Sequence, residues 1–312
     1  MDPSQRARLN LAKLTALAKS AGADGLTPLG FPGGAAASAP GSLWVLTEAG
    51  TLGGALAVAL KGDVPERLVV ITDSADDASV MARRATYFAS PATIDVASVD
   101  GTTLVPHFGA KWSPVATLAP KSAVPAGVDV VHEHGVTSFE VRGLEIGRLV
   151  DGEVVLGVGK HDREAHVMAN STASLDELAR RIRAERRHDA PGSAATSYAR
   201  ERWLRSVVVA HPEIIGLGPL TPAAPPLPRA DLRAVGIAPA VGDGVVVAFS
   251  VGVDLDLVPS AADARAQHNP DAELVVVVPE ADAVPTTQRL AAALKQPARI
   301  ITVPNSWPAM GD

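Results

Sequence analysis

The sequence predicts an α/β protein in which two copies of one βαβαβ unit flank a central α+β insertion. Three observations lead there. Short apolar runs alternate with Ala-rich stretches of helical period, the pattern of parallel strands joined by helices. Residues 43–97 slide onto 249–303 at an offset of 206 positions without a gap, with about one position in five identical. The apolar material is mostly Ala, Val and Leu, with 4% aromatic residues, which suits a sheet covered by helices on both faces.

In chain order, residues 4–20 carry Leu9, Leu14 and Leu17 on one side, interrupted by Arg6, Lys13 and Lys19. They read as a short amphipathic helix with no continuous apolar core, unlike a signal peptide. Residues 22–42, rich in Gly, Pro and Ala, read as a partly disordered loop. The first unit then has strands at 43–47, 67–72 and 93–99 and helices at 53–61 and 76–88. The second has strands at 249–253, 273–278 and 299–303 and helices at 260–267 and 284–294. Single helices between strands imply parallel pairing and right-handed crossovers.

The central segment differs. Residues 138–149 and 153–159 flank Asp151-Gly152 and predict a hairpin. Ser174 and Glu177 form a capping box that opens a helix over 174–187. Pro191-Gly192 ends it, and a second helix follows over 194–210. Five prolines in 219–228 predict a stiff linker. The expected boundaries are therefore 1–42 (helix and loop), 43–126 (first unit), 127–218 (insertion), 219–244 (linker) and 245–312 (second unit).

Composition narrows the chemistry. There is no cysteine, so disulfides, thiolate metal sites and cysteine nucleophiles are excluded. The longest apolar stretch, Leu43 to Leu60, contains Glu48 and Gly53-Gly54 and reads as strand, turn and helix. A cytoplasmic protein with no membrane partner is expected. Net charge is −6, so the surface as a whole does not attract nucleic acid.

Ligands of parallel α/β sheets gather beyond the C-terminal ends of strands. Glu48 and Asp254 stand at matching positions there, with Asp73 and Asp256 nearby. Such carboxylates bind ribose hydroxyls, hold metal ions or act as bases. The first unit reads VLTEAGTLGGALAVAL and then VVITD. Glu48, Gly50, Gly54 and Asp73 resemble the nucleotide-binding start of class I S-adenosylmethionine methyltransferases, with Leu52 in place of the middle glycine. That resemblance implies Rossmann-like units and an adenosyl group approached by Gly50 and Gly54.

Residues 179–205 hold eight arginines (180, 181, 183, 186, 187, 200, 202 and 205) against Glu185, Asp189 and Glu201, with Tyr198 and Trp203 interleaved. Arginines beside aromatics suit phosphate or single-stranded nucleic acid, with Arg183 and Arg187 as ligand-binding candidates. A solvated helix face is the plainer reading. Five of the eight histidines fall in 132–188, and His132, His134, His161 and Asp162 are the candidate metal ligands. Glu140 and Glu145 followed by Lys160 resemble the PD-(D/E)XK nuclease core, although Val158 stands where that motif has its second acid. This reading makes Glu140, Glu145, His161 and Asp162 the catalytic candidates. The stretches ARRATYF, GVGKHDREAH, ARERWLR and SVGVDLDLVPSAADARA resemble a conserved family of high-GC actinobacteria, which implies no activity.

The leading expectation is a nucleotide-like or phosphorylated small molecule bound in a crevice between the Rossmann-like units, with turnover left open. A metal-dependent nuclease or phosphohydrolase and a non-enzymatic protein-interaction module are the alternatives. Cofactor and oligomeric state are left unassigned.

Overall fold

The computed structural model describes residues 2–109, 124–158, 174–190, 194–228 and 236–311. It is a mixed α/β structure with three sheets, two of which contain parallel pairs. The chain divides into two compact units. One comprises Met1–Trp112, Asp254–Asp263 and Val284–Ala298; the other comprises Ser113–Val253, Ala264–Ala283 and Arg299–Asp312.

The first unit opens with α1 (Pro3–Ser20), and its sheet is β1 (Thr27–Leu29), β2 (Gly34–Ala39), β3 (Ser42–Thr47), β4 (Arg67–Thr72), β5 (Thr93–Asp100) and β6 (Thr103–His107). The strands lie in that order. Only β3-β4-β5 are parallel, through the crossovers α2 (Gly53–Ala59) and α3 (Ala75–Ala85). Alternation gives the sheet two apolar faces. Ala35, Ala37, Trp44, Leu46, Val69 and Ile71 meet Leu14, Leu17 and Ala18 of α1. Leu43, Val45, Leu68 and Val70 are buried on the other side, where α2 and α3 pack. Ser74 caps α3 by accepting from the Asp77 backbone N–H at 3.1 Å. Asp76 and Asp77 in the first turn of α3, and Arg83 and Arg84 in its last, complement the helix dipole.

Residues 22–42 are not a loop: they contain β1 and β2. Alanine has low strand propensity, but here its small side chain lets α1 lie close on the sheet, so packing overrides propensity.

In the second unit, β7 (Asp129–Glu133), β8 (Val136–Val141), β9 (Leu144–Val150) and β10 (Glu153–Leu156) form an antiparallel meander. Its three turns are two residues long with both φ positive: His134-Gly135 (48° and 78°), Arg142-Gly143 (49° and 75°) and Asp151-Gly152 (50° and 87°). That is the mirror-image turn whose twist matches the strands. Only Asp151-Gly152 is legible in the sequence, so the expected strand 138–149 is in fact two strands broken at Arg142-Gly143. Helix α4 (Leu175–Glu185) begins at the expected Ser174–Glu177 capping box. Its Leu178, Ala179 and Ile182 cover Phe139, Val141, Leu144 and Ile146 of the meander. Helix α5 (Arg200–Ala210) follows a short 3-10 turn, Ala194–Thr196.

The remaining sheet is β11 (Thr221–Pro222), β12 (Ala238–Gly242), β13 (Val245–Phe249), β14 (Glu273–Pro279) and β15 (Arg299–Val303), again in sequence order. The parallel strands β13-β14-β15 are connected by α6 (Leu257–His268) and α7 (Pro285–Ala292). The proline-rich stretch is therefore not merely a linker, because it supplies an edge strand, where proline is tolerated.

Register aligns the two five-strand patterns. In the first sheet Pro28, Ala37, Trp44 and Val69 lie opposite one another in turn. In the last sheet the same row is Pro222, Ala240, Val247 and Val275. The offset of 206 positions matches this row at the middle strand, Val69 and Val275, but not at the first. Trp44 corresponds to Val247 and not to Ser250, and the strand expected at 249–253 is Val245–Phe249. The loop after that strand is longer in the second pattern, a difference that sliding without gaps cannot detect.

Gly143 tests the meander. A Cβ there would fall on the backbone of Arg202 and would also sit at positive φ, whereas a Cβ at Gly152 meets nothing within 4 Å. Gly143→Val is expected to destabilise by more than about 3 kcal/mol and Gly152→Asn by less than about 1 kcal/mol in urea denaturation.

Candidate anion-binding site

The strand-end carboxylates of the first unit are engaged within the chain. Glu48 accepts from Arg6 Nε at 2.7 Å and from the Asn10 amide, both on α1. The Asn10 hydrogen bond, with Arg6, holds the Glu48 carboxyl below the usual carboxylate range. Asp73 pairs with Lys13 of α1. Asp254 Oδ1 accepts from the Asp256 backbone N–H at 2.8 Å. Asp256 is buried; its Oδ1 accepts from the Gly53 backbone N–H at 2.6 Å and its Oδ2 from Arg84 Nη1 at 2.6 Å. Burial raises the Asp256 carboxyl above its ordinary value, against the pull of Arg84 and the backbone donors. A side-chain anion thus occupies the start of α2, where a bound phosphate would sit in a phosphate-binding loop.

The glycines of that loop divide. A Cβ on Gly53 would strike the Leu255 carbonyl, and one on Gly50, at φ +62°, would strike Asp77. Gly54 has ordinary space beside Phe31 at 3.4 Å. Close approach at Gly50 and Gly53 is therefore made by the chain itself. Strand order matters as well. Each parallel set runs β3-β4-β5 or β13-β14-β15 without reversal, so neither sheet has the switch point at which such folds open a crevice.

Glu140 and Glu145 sit on adjacent strands, directly opposite each other. Each has an arginine. Glu145 is bidentate with Arg148 at 3.0 and 3.1 Å. Glu140 is fully buried and accepts from Arg202 at 2.8 Å and Arg205 at 2.9 Å. Glu133 completes the cluster at 2.6 Å from Arg202 and 3.5 Å from Arg205. Burial opposes the Arg202 charge, but Glu140 and Glu133 outweigh it and hold its pKa above the ordinary range.

His132 bonds Thr137 across the strands at 3.0 Å, and His134 is a turn residue whose Nε2 meets the Pro225 carbonyl at 2.7 Å. His161, Asp162 and Lys160 lie outside the described residues. Among the described residues, no three His, Asp or Glu side chains gather as metal ligands.

The arginine-rich segment does not make one positive face. Arg186, Arg202 and Arg205 are buried. Arg183 Nη2 donates to the Ala126 carbonyl at 3.0 Å, and Arg180 pairs with Asp176 along α4. Of the others, Arg187 and Arg200 line a pocket of about 480 Å³ together with His188, Thr196, Ser197 and Trp203, with Ala190 and Pro308 as its apolar part. Arg187 and Arg200 are exposed, and Arg187 also pairs with Asp189 at 2.8 Å. Trp203 is buried at the pocket's base, edge-to-face with Trp307 at 5.5 Å between ring centroids. Helix α5 starts beside the pocket with no side-chain cap: its N-cap residue, Ala199, has no side-chain acceptor and adopts the left-handed conformation. Among the described residues the lining combines two guanidinium groups, an imidazole and two hydroxyls with no carboxylate, a composition suited to an anion.

Of the residues that line this pocket, sequence reading named Arg187 as a ligand-binding candidate and did not name His188, Thr196, Ser197, Arg200 or Pro308 as such. The arginine–aromatic spacing marked the segment that contributes most of this lining. Which arginines turn outward depends on how the loop between α4 and α5 folds. Comparison with family profiles, with curated proteins and with solved structures returned no match. Among the described residues no helix is long and apolar enough to cross a membrane.

The two kinds of carboxylate should behave differently. Glu140→Gln leaves two buried guanidinium groups short of charge and is expected to cost about 3–5 kcal/mol. Glu48→Gln, on an exposed pair, should leave the denaturation midpoint essentially unmoved.

Proposed function

We propose that this protein binds a small phosphorylated organic molecule, nucleotide-like in size, in the pocket between the end of α4 and the start of α5. One observation carries the reading: Arg187, His188 and Arg200 converge with the Thr196 and Ser197 hydroxyls around a cavity of about 480 Å³ whose lining, among the described residues, holds no acidic side chain. The volume falls within the usual range of about 300–1,000 Å³ for small-molecule sites, and is far larger than a bare phosphate needs. The uncapped start of α5 adds backbone donors and a favourable dipole. The burial of three of the eight arginines favours a compact ligand over a long polyanion, which would need a continuous basic track.

The fold suggests an origin for this arrangement. We infer that α1 to β5 and α5 to β15 are copies of one unit. The parallel cores support this: Ala35, Leu46 and Ile71 under α1 match Ala238, Phe249 and Val277 under α5, row for row. A further sign is the bridge between Phe88 and Leu294, flanked by reciprocal hydrogen bonds from Ala89 N to Ala293 O (2.9 Å) and from Lys295 N to Tyr87 O (2.8 Å). On this reading α5 is the counterpart of α1, and the anion site is an addition at the start of the second copy.

Calorimetry with adenosine 5′-monophosphate, glucose 6-phosphate and inorganic phosphate tests the function. At least one ester should bind more tightly than inorganic phosphate. Arg200→Gln should weaken that binding about tenfold or more, because a charge-assisted contact is lost. Arg187→Gln should weaken it less, since Asp189 already shares that guanidinium. Absence of binding by every phosphate compound, or an Arg200→Gln protein that binds like wild type, would overturn the assignment.

A further inference from the structure

Three arginines of the segment are buried, and they are not equivalent. Arg202 and Arg205 face Glu133 and Glu140. Arg186, with 0% exposure, has no ion pair among the described residues. Its guanidinium donates only to backbone carbonyls: Arg142 at 2.8 Å, Ala199 at 2.9 Å, and Ala195. One face stacks on Trp203, with the guanidinium carbon 4.7 Å from the ring centroid. Burial lowers its pKa to about 10, which leaves it charged at neutral pH.

A buried cation without a counter-ion is costly, and its field is poorly screened. The field has a direct outlet. Trp203, against which Arg186 stacks, forms the base of the pocket, and the carbonyls that Arg186 holds, those of Ala195 and Ala199, bracket Thr196 and Ser197 in its wall.

We propose that Arg186 is a positioning residue that holds the loop 195–199 in its binding shape and whose buried charge, acting from behind Trp203 without touching the ligand, makes the pocket select doubly over singly charged anions. This rests on the reading of the pocket as an anion site, and it specifies the ligand class as a phosphomonoester dianion. The groups facing Arg186 agree with that role. Glu201 and Glu140 act on it from a distance, while Arg142 and Arg200 oppose them, so no single acid neutralises it. The missing counter-charge is the ligand's second negative charge.

The test compares phenyl phosphate with phenyl sulfate at pH 8. The two are nearly isosteric, but the first is a dianion and the second a monoanion. Calorimetry on the full chain should show wild type preferring the phosphate by about tenfold or more. Arg186→Met keeps the bulk against Trp203 and removes the charge; the preference should fall about fivefold or more, whatever happens to absolute affinity. Arg186→Lys should retain the preference while binding both probes more weakly, because one ammonium cannot hold three carbonyls as the guanidinium does. Ala199→Asp supplies an internal counter-ion at a left-handed position that aspartate tolerates, so it decides the matter if Arg186→Met does not fold; here too the preference should fall.

A purely structural role would weaken both probes equally in Arg186→Met and leave their ratio unchanged. That result, or an unchanged ratio in Ala199→Asp, would overturn the proposal. Wild type binding both probes without preference would overturn this inference alone. Wild type binding neither would remove the anion-site reading and this inference with it.

Discussion

Buried guanidinium groups organise both units, and whether each one meets a carboxylate sets its role. In the first unit Arg83 is bidentate with Asp263 at 2.9 Å, and Arg84 joins Asp256 at 2.6 Å. In the second, Arg202 and Arg205 share Glu133 and Glu140. These pairs recover enough of their desolvation cost to be tolerated, and their strict geometry fixes which helix meets which strand. Arg186 lacks this compensation. It spends its donors on three carbonyls and thereby shapes the loop 195–199 beside the pocket that Arg187 and Arg200 line.

Much of the fold is legible in the sequence. The strands at Arg67–Thr72 and Arg299–Val303 and the start of α4 follow directly from apolar period and capping chemistry. The misreadings have physical causes. Ala35–Ala37 looks like loop because alanine is a poor strand former, but small side chains are what let Leu14 and Leu17 of α1 approach. His134-Gly135 and Arg142-Gly143 are as tight as Asp151-Gly152, yet histidine and arginine rarely hold positive φ, so nothing local announces them. Thr221–Pro222 becomes an edge strand only because Ala240 and Val241 lie alongside to pair with it.

The candidate site was legible as a segment but not as a surface. Composition marks residues 179–205 as basic, but it cannot separate Arg202, which faces Glu140, from Arg200 two positions earlier, which faces solvent. A helix of 3.6 residues per turn places neighbours at i and i+2 on different faces, so the segment's charge divides between interior and surface once α5 docks. Counting arginines therefore overstates the positive surface. Locating their acidic partners on β7 and β8, far away in sequence, is what resolves it.

The same reasoning moves the ligand away from the strand ends. Parallel sheets bind cofactors where strand order reverses and adjacent crossovers part to opposite faces. Here β3-β4-β5 and β13-β14-β15 run in sequence order, the start of α2 carries the Asp256 carboxylate, and α1 engages Glu48 and Asp73 with its own side chains. The carboxylates Glu48, Asp73 and Asp256 each already have an intramolecular partner. The start of α5 differs: no side chain caps it, no acid among the described residues lines the adjoining cavity, and the buried Arg186 behind it is positive. Helix α1 and helix α5 each precede a sheet with three parallel strands, yet α1 spends cations on its own sheet's carboxylates, whereas α5 turns Arg202 and Arg205 inward and leaves Arg200 at the pocket. On the proposed reading an external anion fits the second position, where no acidic side chain among the described residues lines the cavity.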